Sequence, residues 1–207
     1  LLQDRQVRGV SHILMVGGFS ESEMLKHAVK TNFCNVSIIV PQEAGLVVLK
    51  GAVVFGHSPS SILHRVCKYT YGIETYTSFD EKMHDIKRRK ESNHGPYCCE
   101  VFHKHVEKDQ SVSLFETTKP ISYFPHEDED TYVTISIYAS TNKSPMYVTD
   151  DGCVKLGMAN IDILDRSVPR QEREILVSMV FGGTEIEVKA TEKRTGKSTN
   201  VIVNFLG

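Results

Sequence analysis

The stretch EILVSMVFGGTEIEVKATEKRTGKSTNVIV, residues 174–203, decides the fold class. Ile175, Val177, Met179 and Phe181 recur at every second position, and Ile186, Val188 and Ala190 do the same against Glu187 and Lys189. A period of two places alternate side chains on opposite faces, so these are half-buried strands. Gly182-Gly183 separates the first two strands. Thr195-Gly196-Lys197 separates Glu185–Thr191 from the closing run Val201, Val203, Phe205, which makes a meander of hairpins. Val133, Ile135 and Ile137 alternate in the same way with Thr134, Ser136 and Tyr138. An antiparallel β-sandwich over residues 69–207 is the natural closure.

Upstream the pattern changes. His12–Val16 is a short apolar run ending at Gly17-Gly18, and Ser20 and Glu23 stand in capping-box register before a helix whose Met24, Leu25, Ala28 and Val29 form one buried face. A second strand, Val36–Val40, stops at Pro41, a residue suited to a helix entrance. Glu43 to Gly56 then reads as an apolar, buried helix. Strands alternating with helices predict the edge of a parallel sheet. The domain reading is therefore an α/β unit at 1–57, a linker at 58–68 marked by Pro59, and the sandwich at 69–207. Glu81–Pro96, charged and without period, reads as a solvated loop, its Lys87-Arg88-Arg89-Lys90 run included.

With 40% hydrophobic and 24% charged residues and a formal charge of −2, the 207-residue chain has no global field that points to nucleic acid or anionic lipid. Five scattered cysteines (Cys34, Cys67, Cys98, Cys99, Cys153) do not form a secreted disulfide framework, so reduced thiols and a cytoplasmic location are expected. No apolar run approaches the roughly 20 residues of a bilayer span. Leu1 is not an initiator Met and LLQDRQVRGV lacks a signal-peptide core, so the chain reads as a fragment.

Three constellations carry chemistry. A glycine pair between strand and helix brings backbone N–H groups close to an anion, which makes Gly17, Gly18, Phe19 and Ser20 the candidate nucleotide-binding residues. Glu21 and Glu23 oppose phosphate, and a plain tight turn is the bland alternative. Cys98-Cys99 with His94, His103 and His105 supply zinc-type ligands, yet adjacent cysteines rarely share one tetrahedral ion, so no metal is expected. No nucleophile sits on a Gly-flanked elbow, so no catalytic residue is assigned.

ILMVGGFSESEML followed by VPQEAGLVVLKGAVVFG resembles the adenosine motif and following segment of the actin/heat-shock ATPase superfamily. YGIET at 71–75, YVTISIYAS at 132–140 and the stretch quoted first are similar, in order, to strands of the 70-kilodalton heat-shock protein sandwich. GGFSES and HGPYCCEVFHKHVEKDQSV look like its divergent subfamily, heat-shock 70 kilodalton protein 12. The resemblance implies the C-terminal end of an actin-like ATPase domain, followed by a substrate-type sandwich without a helical lid. Such a protein is an ATP-binding chaperone with Mg²⁺ in the full-length form, and its partners are client peptides. Glu21 stands where the family usually has an adenine-side Arg, and Gln42 replaces the Asp of N-P-D-E-A. The phosphate-gripping and catalytic motifs would lie upstream, so these residues alone are not expected to hydrolyse ATP. A non-catalytic adaptor built on a degenerate nucleotide scaffold is the rival reading.

Overall fold

The computed structural model describes residues 9–163, 167–182 and 184–204, so Gly183, Phe205 and the opening residues 1–8 lie outside the account that follows. The chain divides into two compact units, Leu1–Ile62 and Leu63–Gly207.

In the first unit, β1 (His12–Leu14) pairs in parallel with β2 (Ser37–Ile39), in the register Ile13 to Ile38, as strand–helix alternation predicts. Between them a 3-10 turn, Gly18–Glu21, leads into α1 (Glu23–Asn32). Ser22, not Ser20, is the N-cap residue, because the 3-10 turn takes up the residues expected to begin the helix. α2 runs Ala44–His57 after Glu43, which sits in the left-handed region at φ 56°. The apolar faces are less buried within the unit than the periodicity suggests. No residue of α1 is buried, Met24 is 80% exposed, and Ala44 alone is buried in α2, while Leu46, Val48, Leu49, Val53 and Val54 are exposed.

The second unit is almost wholly antiparallel β. Its larger sheet has the order β10-β9-β4-β6-β5, formed by Cys153–Asp162, Tyr132–Ser140, Thr70–Ser78, Tyr97–Val106 and Arg89–Lys90. The other has the order β13-β12-β11-β8, formed by Ser198–Asn204, Glu185–Glu192, Ile175–Phe181 and Ile121–Tyr123. Within residues 58–68, read as a linker, His64–Val66 forms β3 and pairs with β7, Ser111–Ser113.

The alternating residues meet in one core. Tyr71, Ile73, Ile135 and Ile137 from the first sheet join Val177, Met179, Phe181, Ile186 and Val188 from the second, all at most 2% exposed. The rings of Tyr71 and Phe181 meet edge to face across the sheets, 5.8 Å between centroids. This layering is that of a β-sandwich. Gly72 admits the Phe102 ring against β4: a Cβ there would lie 2.3 Å from Phe102 Cε1 and 2.5 Å from the His103 carbonyl oxygen.

Residues 81–96 are more structured than a solvated loop. A 3-10 turn at Ile86–Arg88 and the two-residue β5 fasten them to β6. Arg88 pairs with Glu100, reaches Thr149 Oγ1 and lies over the Tyr147 ring at 4.0 Å, while the Asp85 amide donates to the Tyr147 hydroxyl at 3.1 Å.

Candidate functional site

The glycine turn is built from the end of β1 and the start of α2. Gly17 takes φ 93°, a conformation open to glycine, and its N–H donates to the Ala44 carbonyl at 2.8 Å. A Cβ at Gly17 or Gly18 would meet nothing within 4 Å, so the backbone there is approachable. Phe19 is 73% exposed. Ser20 is buried and its hydroxyl donates to the Val16 carbonyl at 2.6 Å, which commits that proton internally. Glu21 Oε1 accepts the Gly45 N–H at 3.2 Å, so a carboxylate of the chain sits at the start of α2, where the helix end favours negative charge.

The zinc-type residues are not brought together. Cys98 is buried and Cys99 Sγ faces the Arg88 carbonyl at 3.5 Å, whereas His103 and His105 lie against Tyr123. His105 Nε2 and the Tyr123 hydroxyl are 2.8 Å apart. Burial, and secondarily the neighbouring His103, pushes the His105 imidazole down to about 3, and burial lowers His103 as well. No group of three His, Cys, Asp or Glu side chains suited to a metal occurs among the described residues.

A sizeable concavity lies in the sandwich. A groove of about 1210 Å³ is walled by residues 75–84 of β4 and the segment after it, residues 101–103 of β6, residues 122–124 of β8 and its end, and Arg170 with Gln171. Phe79, Met83, Phe102, Tyr123 and Phe124 give it an apolar lining. A second groove of about 590 Å³ shares Thr75, Tyr76, Tyr123 and Phe124 with it.

Tyr76 therefore stands between the two. Its hydroxyl donates to the Phe124 carbonyl at 2.8 Å, and its ring lies 4.2 Å from the ring of His126, which in turn lies 4.1 Å from Tyr97. Burial pushes the Tyr76 phenol up to about 12 and also raises that of Tyr97, so both rings are neutral. The segment carrying His126 is held by two arginines. Arg170 Nη1 donates to the carbonyls of Pro125 and His126, and the buried Arg173 donates to those of Asp128 and Asp130. The aromatic residues Tyr76, Tyr97, Phe102 and Tyr123 stand out in the sequence, but His126, Arg170 and Arg173 carry no local signal, because what joins them is contact between distant segments.

No family model matches the chain. Over its whole length it is 37% identical to heat shock 70 kDa protein 12A of Mus musculus and of Homo sapiens, and 32% identical to heat shock 70 kDa protein 12B of Homo sapiens. The chain is similar to proteins of the heat shock 70 kDa protein 12 type. It spans 31% of the length of each of these proteins. The similarity to these heat shock 70 kDa protein 12 sequences runs along the entire chain. No helix among the described residues is long and apolar enough to cross a membrane.

Proposed function

We propose that the sandwich holds an extended, largely apolar peptide segment in its groove, as a chaperone holds a client, under the control of an actin-like nucleotide domain to which residues 1–57 belong. The observation that carries this is the groove of about 1210 Å³, with Phe79, Met83, Phe102 and Phe124 along its wall and sheet-end backbone beside them. Apolar pockets select side chains, while free backbone groups hold an extended main chain. ATP, with Mg²⁺, would be gripped mainly by chain beyond these 207 residues. Gly17 and Gly18 would offer close backbone approach, Phe19 an exposed ring and Ser20 a buried strut.

A second reading is favoured by Glu21. A carboxylate on the Gly45 amide puts negative charge beside the glycine turn and supports a non-catalytic adaptor in which the nucleotide fold is scaffold.

Titrating the 207-residue chain into a fluorescein-labelled, Leu-rich extended peptide tests the first reading by anisotropy. Saturable binding weakened in Phe124→Ala and Met83→Ala is the expected result. A flat titration removes the peptide-holding role and leaves the adaptor.

A further inference from the structure

A 3-10 turn, Arg170–Glu172, comes just before β11 and is tied to the segment after β8. Two arginines make the tie, and their charges are met differently. Arg173 is buried, donates to the carbonyls of Asp128 and Asp130, and has the Asp128 carboxylate at 3.6 Å. Arg170 is half-buried and commits Nη1 to the carbonyls of Pro125 and His126, at 3.4 and 3.0 Å. Arg88 and Arg89 also have carboxylate partners, Glu100 and Glu91. Arg170 has none among the described residues, although the acidic run 127–130 follows the carbonyls it holds. Those acids are turned elsewhere: Asp130 Oδ2 accepts the amides of His126 and Glu127, and Asp128 lies against Arg173 and His94.

Arg170 therefore brings a positive charge without a counter-charge to the wall of the groove of about 1210 Å³. Its Nε is enclosed and has no partner among the described residues, whereas Nη2 is neither enclosed nor hydrogen-bonded there. Nη2 is the nitrogen left for a ligand. Carbonyl acceptors fix the plane of a guanidinium but do not neutralise it, and a carboxylate supplies both a hydrogen bond and the missing charge. Beside apolar side chains such as Phe102 and Phe124 that bond is stronger than in water. Asp80 and Glu81 wall the same groove from the segment after β4; Asp80 Oδ1 accepts the Lys82 amide at 2.9 Å, and neither carboxylate pairs with Arg170. They repel an acidic group from their own part of the groove and so favour the part beside Arg170.

Resting on the peptide-groove reading, we propose that Arg170 is a specificity-determining residue: the groove prefers an extended apolar segment that carries a carboxylate, to which Arg170 Nη2 donates. An Asp or Glu side chain and the C-terminal carboxylate of a segment present the same pair of oxygens.

Calorimetric titration of the 207-residue chain with unlabelled, N-acetylated, Leu-rich peptides of equal length tests this. One peptide is neutral with a C-terminal amide, a second carries a single Glu and the amide, and a third is the neutral sequence with a free C-terminal carboxylate. A carboxylate peptide binds about tenfold more tightly than the neutral one. Which of the two does so separates a side-chain source from a terminal one. In Arg170→Met, which keeps the apolar stem, the ratio of affinities falls to about one. Equal affinity of the parent for all the peptides overturns the inference and leaves the groove reading standing, as does a ratio undiminished in Arg170→Met. Binding of none removes the groove reading and the inference with it. Should Arg170→Met fail to fold, nitrogen-15 NMR of the parent decides. The Arg170 Nε–H signal moves on adding the carboxylate peptide and holds still with the neutral one; equal movement with both, or none with either, overturns the assignment.

Discussion

The carboxylate of Glu21 accepts the backbone N–H of Gly45 at 3.2 Å, joining the turn after β1 to the first residues of α2. At a helix N-terminus such a carboxylate contributes about 0.5 kcal/mol at an exposed site. Glu21→Gln keeps an acceptor and loses the charge. Faster amide exchange at Gly45 and Leu46 is expected, with the sandwich amides unchanged.

Gly72 has no room for a side chain. A Cβ would meet the Phe102 ring at 2.3 Å and the His103 carbonyl at 2.5 Å, and the carbonyl belongs to a paired strand that cannot yield. Gly72→Ala lowers stability by about 2–3 kcal/mol through overpacking. A lower urea midpoint, with an unchanged slope, is the measurement that shows it.

His105 makes stability fall in acid. His105 is held neutral by burial, down to about 3, whereas in the unfolded chain it takes a proton near 6.5. As pH drops through that window the unfolded state binds the extra proton and the native state does not, so stability declines from about pH 6.5 to about pH 3 and loses nothing further from this group below it. His103 shifts in the same direction. At pH 4 the His105 contribution is on the order of 3 kcal/mol. Urea titrations at pH 7 and pH 5 should converge in His105→Gln relative to the parent.

Arg173, 3% exposed, secures residues 128–130 through two carbonyls and the Asp128 carboxylate at 3.6 Å. Arg173→Met keeps the stem and removes the charged donors, at a cost of about 2 kcal/mol. Proteolytic cutting within residues 126–130 should increase before global unfolding does.

The sandwich was legible because alternation survives in the linear order. Every residue from Ile175 to Ala190 read as inward does face the core. The helical unit was less so. Apolar spacing in Ala44–His57 predicts burial, but spacing says nothing of what covers a face, and Leu46, Val48 and Val53 are exposed within their unit. Ser20 illustrates a local limit: capping-box register was present, but a 3-10 turn supplied a different route for its hydroxyl. At the groove, the junction of Tyr76 with His126 spans fifty positions of chain and has no sequence period at all.

The two-residue strand β5 has a consequence for how molecules of this protein meet. It covers Tyr97 and Cys98, one end of the outer side of the ten-residue β6, with Arg89 and Lys90, both exposed. A long strand left bare would be a template for the strand of another copy, but here the incoming chain would have to lie along a stub bearing two cations. At that end of the sheet, Arg89 and Lys90 make edge-to-edge pairing with another copy less favourable.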